Sequence, residues 1–306
     1  MTTAEHPWDD DHEHDHLPVV RLTRRRAISL LGGIGVAVLA GCGGKDDTLA
    51  AGTTAPAAPS STGASTASTA AVTSTGAAAA TTTTASRATT TTGAALPWLT
   101  PPSETGGPFP ADGSNQNGAG AVANVLDKPA VFRTDMTTDL DGSNRQSGIP
   151  LNLRIKIGHK ADKTPFAGAA VYVWHCDVGG HYSAYSGGMN GGDYAARSYL
   201  RAVGVADADG NVSFTSILPG RYQGRAAHIH FAVFNDRSLA TRLLTSQFAF
   251  DDAEADALYA SNPAYAGSLR NPTYNSRDNV FSDGVSNQLL DVNGTSAVDA
   301  AINILV

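Results

Sequence analysis

Cysteine, basic charge and long apolar runs are all scarce in this 306-residue chain. The two cysteines, Cys42 and Cys176, stand on opposite sides of a long low-complexity stretch, so no disulfide framework holds the fold. A domain of this size folds on its core alone, and the shortage does not argue against export. Lys and Arg number 21 against 28 Asp and Glu, for a formal net charge of −7, and they form no basic stripe. Affinity for phosphate backbones rests on clustered Lys and Arg, so no nucleic-acid partner is expected and a small molecule is. The weakly apolar stretch from Ala27 to Ala40 is too short to span a bilayer as a helix.

That stretch has flanks of its own. Arg24, Arg25 and Arg26 precede it, and Leu39-Ala40-Gly41-Cys42 closes it, the layout of an export signal. The arginine cluster resembles a twin-arginine signal, and the residues ending at Cys42 resemble a bacterial lipobox. The expectation is an exported cell-envelope protein, held at the outer face of the cytoplasmic membrane by a lipid on Cys42, which anchors without spanning. Twin-arginine export carries folded proteins, often with the cofactor inserted, which suits a metal enzyme. The run Asp9-Asp10-Asp11-His12-Glu13-His14-Asp15-His16 reads as solvated charge, since nothing around it fixes a ligand geometry. Gly43 to Ala95 is almost wholly Ala, Thr, Ser, Gly and Pro and buries too little to fold, so it reads as a tether. Three parts follow: 1–42 signal, 43–95 tether, 96–306 domain.

Within the domain, Leu151 to Ile157 alternates apolar with polar, as a half-buried strand does. Further strands are expected at Ala169–Trp174, Tyr199–Val205, Asn211–Phe214, His228–Phe234, Ser246–Phe250 and near Ile302–Val306, with one short helix over Glu254–Ala260. Asp207-Ala208-Asp209-Gly210-Asn211 lacks the spacing and downstream glutamate of a calcium loop and reads as a hairpin turn. The fold class is all-β, an antiparallel β-sandwich with long loops and little helix.

One strand carries the chemistry. In RYQGRAAHIHFAVF (221–234), period-two alternation turns His228 and His230 to one face and Ile229, Phe231 and Val233 to the other. Two imidazoles are thereby offered to one metal, with Tyr222 and Arg225 just upstream. Alone, a His-x-His is more often structural than metal-binding.

The longer pattern decides between these. WHCDVGGHYSAY (174–185), YLRAVGVADADGNVSFTSILPGRYQGRAAHIHF (199–231) and TSQFAF (245–250) occur in the order found in the intradiol ring-cleavage dioxygenases, and the chain resembles that family from about Leu99 to Asp252. The resemblance implies a non-haem Fe(III) cofactor held by Tyr182, Tyr222, His228 and His230, with two phenolates favouring ferric over ferrous iron. It also implies that Tyr222 is the ligand displaced by substrate and takes up a catechol proton, while Tyr182 stays bound. Arg225 would steady the carbanion-like catecholate, and Gln247 would serve as a second polar pocket residue. The expected reaction is cleavage of a catechol-type ring between its two hydroxylated carbons by O2, through a cyclic anhydride, to a cis,cis-muconate type product.

His175 falls at a non-ligand histidine of the family, and His181 is expected to face away from Tyr182. Tyr185, Tyr194 and Tyr199 read as packing, Cys176 as a small buried residue and Asp177 as a loop-orienting residue. The link from Tyr222 to Arg225 is only Gln223-Gly224, and Phe109 in GGPF (106–109) stands where many relatives carry a tyrosine. Two rival functions remain: a non-catalytic cell-envelope lipoprotein sandwich binding a small ligand, and a zinc hydrolase using His228, His230 and His175 or His181. Self-association to a homo-oligomer is left open.

Overall fold

The computed structural model describes residues 95–270 and 272–306. The expected signal, the expected lipid attachment at Cys42 and the expected tether up to residue 94 lie outside the described residues.

In chain order the strands are β1 (Trp98–Leu99), β2 (Asp112–Gln116), β3 (Val122–Asn124), β4 (Pro150–Gly158), β5 (Ala170–Trp174), β6 (Ser186–Gly187), β7 (Gly192–Asp193), β8 (Arg201–Val205), β9 (Asn211–Ile217), β10 (His228–Phe234), β11 (Arg242–Ala249), β12 (Asp291–Asn293) and β13 (Val298–Leu305). One sheet has the order β1-β13-β4-β9, with β12 on β13; the other has the order β11-β10-β5-β8. The ribbons β2-β3 and β6-β7 stand apart. The second sheet is antiparallel throughout. In the first, the closing strand β13 runs parallel to both β1 and β4.

Alternation explains the core. Leu151, Leu153, Ile155 and Ile157 of β4 are buried between exposed Asn152 and Arg154. They share one cluster with Val298, Ala300, Ile302 and Ile304 of β13 and with Val171, Val173, Ile229, Phe231 and Phe248 from the second sheet. Phe231 stacks on Phe248 with ring centroids 4.0 Å apart. The other face of the second sheet is buried too: Tyr172, Trp174, Ala232 and Phe234 pack with Phe109, Tyr182 and Tyr185 from the loops above. All seven residues of β10 are therefore buried.

The turn at Asp207–Asn211 forms as expected: Gly210 has φ +78° and Asp207 Oδ1 accepts from the backbone N–H of Asp209 and of Asn211. It is not a hairpin. It carries the chain from β8 in one sheet to β9 in the other. The helix α1 (Asp252–Ser261) is capped by the Asp251 carboxylate, which accepts from Ala253 N and Glu254 N and so satisfies orphan donors of the first turn. The hydroxyls of Tyr259, on α1, and Tyr265, just after it, donate to the carbonyls of Pro219 and Leu218. This fastens the turn that leads into Tyr222.

His175, just past β5, is fully enclosed, with Nδ1 2.8 Å from Cys176 O and Nε2 2.7 Å from Ser216 Oγ. Burial lowers its pKa from 6.5 to about 4. The unfolded chain takes up this proton below pH 6.5 while the folded chain resists until about 4. The stabilisation is thus complete above 6.5 and is lost as pH falls through that window, by about 3 kcal/mol. Burial acts in the same direction on His228 and His230. Urea unfolding across this pH range is expected to show the loss, and His175→Gln, though less stable near neutrality, is expected to show a shallower acid limb than the native chain.

Candidate metal centre

The sheet register assembles the floor of the site. On β10, His230 lies opposite Trp174 of β5 on one side and Gln247 of β11 on the other. Trp174 lies flat against the His230 ring, 5.0 Å between centroids and 5° from parallel. His228, two residues back on the same face, meets His230 edge-on at 4.8 Å. The loop after β5 brings Tyr182 over this pair and the turn after β9 brings Tyr222.

Three donors converge on one point. Tyr182 Oη is 3.1 Å and Tyr222 Oη 3.3 Å from His228 Nε2, and the two phenol oxygens are 3.5 Å apart. His228 Nδ1 is 2.7 Å from Ala226 O. A carbonyl only accepts, so Nδ1 carries the proton and Nε2 presents its lone pair to the phenols. The His230 ring lies beside this group, its centroid 4.8 Å from that of His228 and 6.0 Å from that of Tyr182, and its Nδ1 is buried with no hydrogen-bond partner among the described residues. One ion with bonds of about 2 Å holds neighbouring donors roughly 3 Å apart, the spacing seen here. No group of three or more His, Cys, Asp or Glu side chains among the described residues is arranged to hold a metal. Two phenols and two imidazoles are the set that is present, and hard anionic oxygen with imidazole suits ferric iron.

Residues 126–271 match the family model described as Dioxygenase. Over 123 residues the chain is 31% identical to catechol 1,2-dioxygenase 1 of Acinetobacter lwoffii, an alignment covering 34% of this chain and 36% of that protein. The chain thus matches about a third of that relative's length. A solved dioxygenase superposes with a TM-score of 0.53 at 21% identity, over 68% of this chain and 94% of its own. By sequence the domain is similar to the intradiol ring-cleavage dioxygenases. An intradiol ring-cleavage dioxygenase from Tetranychus urticae aligns at 21% identity over 58% of this chain and 87% of its own, with a TM-score of 0.49.

Burial favours the neutral form of all four donors. Burial pushes the Tyr182 phenol well above the usual tyrosine range and raises that of Tyr222, while burial drives both imidazoles well below theirs. Arg225 supplies the nearby cation. Its Nη1 is 3.4 Å from His228 Nε2, its Nη2 donates to Gln247 Oε1, and its Nε sits 2.9 Å from the buried carboxylate of Asp278. Tyr182 is fully enclosed and Tyr222 only partly. A cavity of about 300 Å³ lined by Val178, Gly179, Arg221, Tyr222, Gln223, Gly267 and Ser268 reaches the donor set at Tyr222.

The residues expected to stay out of the set do so. Both nitrogens of His175 are engaged elsewhere, and His181 sits on Asp177 and stacks against Tyr194. Asp177 orders its loop by accepting from Gly179 N and His181 N. Tyr185 bonds Asn115 and Ala111, and Tyr199 reaches Asp177. Cys176 is buried against Gly220 O, and burial raises its thiol pKa. Phe109 packs on Tyr182 at 5.0 Å.

Sequence reasoning missed three residues. Asp278 lies between the helix expected over Glu254–Ala260 and the strand expected near Ile302–Val306, where no element is expected. Arg201 is completely buried and donates to Ser183 Oγ, Ser183 O, Phe109 O, Pro110 O and Tyr172 Oη, tying the segment beneath Phe109 and the residue after Tyr182 to the sheet. Gly107 has φ +70°, and a Cβ there would sit 3.1 Å from His230 Cε1. Gly107→Ala is expected to cost about 1–2 kcal/mol, measured by urea unfolding, from backbone strain and pressure on that ring.

Proposed function

We propose that this chain is a ferric intradiol dioxygenase that opens a catechol-type ring between its two hydroxylated carbons, yielding a cis,cis-muconate type product. The observation that carries the reading is the convergence of Tyr182 Oη and Tyr222 Oη on His228 Nε2 within 3.1–3.3 Å, with a guanidinium nitrogen 3.4 Å from the same atom. Tyr182, Tyr222, His228 and His230 would hold the iron. Bound there, ferric iron would draw electron density from a chelated catecholate and so make the ring reactive toward dioxygen.

The chain's own residues supply the rest. Tyr222 borders the cavity and is the donor that can swing aside for substrate, taking a catechol proton onto its phenolate oxygen. Tyr182, sealed beneath Phe109, stays in place. Arg225 directs Nη1 toward the region where the ring oxygens would lie and stabilises negative charge developing there. Both atoms of O2 enter the diacid, so diol plus dioxygen balances the product without a reductant. The signal-like and lipobox-like residues ending at Cys42 support an exported, lipid-anchored enzyme.

Oxygen uptake with catechol, protocatechuate, chlorocatechols and hydroxyquinol tests the reading. One dioxygen consumed per ring opened, with no reductant, is expected for at least one of them; a ligand-binding lipoprotein would consume none.

Burial keeps both phenols protonated in the metal-free protein, so loading ferric iron displaces protons. Affinity is expected to fall with falling pH, by up to about 100-fold per unit if two protons leave. A chelator competition at about pH 7 and about pH 6 reads this directly, and Tyr182→Phe should halve the logarithmic slope.

A further inference from the structure

We propose that Asp278 is a positioning residue for Arg225, and that the segment from Asn275 to Gln288, beyond the family-matched residues 126–271, is a working part of the site. The inference rests on the reading of Arg225 as the cation that steadies the reacting catecholate.

Asp278 has no solvent exposure. Its Oδ2 accepts from Arg225 Nε at 2.9 Å and from Ala226 N at 2.7 Å; its Oδ1 accepts from Arg225 Nε at 3.1 Å and from Val280 N at 2.9 Å. One backbone N–H from each segment therefore pins the carboxylate before it meets the guanidinium. A carboxylate buried in this way needs a partner charge, because desolvation without one costs several kcal/mol.

The guanidinium is a rigid planar fork, and its edges are allotted. Asp278 takes Nε, and Gln247 Oε1 takes Nη2. Gln247 is itself held, donating from Nε2 to Thr105 O and accepting at its backbone oxygen from Gln288 Nε2. With two edges fixed, the direction of Nη1 is fixed as well, and it points at His228 Nε2. An arginine without this brace would keep its charge but not its aim. An amide at position 278 removes the counter-charge and turns an N–H toward a donor, either Arg225 Nε or a backbone N–H.

The test uses the full chain loaded with iron: native, Asp278→Asn, Asp278→Glu, Arg225→Gln and the double variant of Asp278→Asn with Arg225→Gln. Asp278→Asn touches none of the four donors, so iron content and the visible tyrosinate band are expected to stay native. Its kcat is expected to drop on the order of 10- to 100-fold through loss of aim, with KM moving less than about threefold. The double variant is expected to be no slower than Arg225→Gln alone, since the two residues act as one unit. If Asp278→Asn does not fold, Asp278→Glu, which keeps the charge and displaces the fork by a methylene, takes its place with a smaller drop in kcat. A kcat within about twofold of native, or losses that multiply in the double variant, would overturn the proposal.

A metal-free readout separates this proposal from the reaction itself. In the iron-free protein the Arg225 Nε–H resonance, identified by its absence in Arg225→Gln, is expected to be protected from exchange and to lose that protection in Asp278→Asn. An unchanged resonance overturns the proposal whatever the activity. Loss of protection in Asp278→Asn, beside a native chain that is protected but consumes no oxygen with any catechol, leaves the positioning intact and removes the reading of the reaction.

Discussion

Strand β10 is buried on both faces, and the site exists because of it. Ile229, Phe231 and Val233 are held in the core between the sheets, so the alternation of the strand leaves His228 and His230 no choice of side. The loop layer above, carrying Phe109, Tyr182 and Tyr185, closes over that second face and removes it from water. A one-residue slip of register would exchange histidines for core residues along the whole strand, and the packing of Phe231 on Phe248 opposes it.

Burial then dictates the electrostatics. Four neutral donors gathered in a largely buried site are tolerable to the fold, while four charged ones would not be. The charges that are present nearby come as braced groups: Arg225 with Asp278, and Arg201 with five neutral oxygens. The second of these is costly to bury and is retained where the lead-in segment and the Tyr182 loop must meet the sheet. The geometry of the donors is thus set by groups that do not belong to the donor set.

Much of this was legible in the sequence because it was written in periodicity. The bounds of β10 follow the apolar alternation residue for residue, and the four proposed ligands with Arg225 and Gln247 came from the order of motifs that resembles the intradiol family. What escaped was non-local. The ribbons β2-β3 and β6-β7 are polar and short, and they are held to each other by contacts such as Ser186 N to Asn117 O, which no local pattern announces. The parallel placement of β13 depends on β1 and β4, far away in the chain. Asp278 is a single acid in a polar run, and its partner lies 53 residues upstream. Gly107 matters only because His230 arrives beside it in the folded chain.

The central claim is that Tyr182, Tyr222, His228 and His230 bind one ferric ion. Crystals of the iron-loaded protein, with anomalous data on either side of the iron absorption edge, test it most directly. The account predicts a single strong iron peak bonded to Tyr182 Oη, Tyr222 Oη, His228 Nε2 and a ring nitrogen of His230. A peak coordinated by other side chains, or a protein that retains no iron while folded, would contradict it.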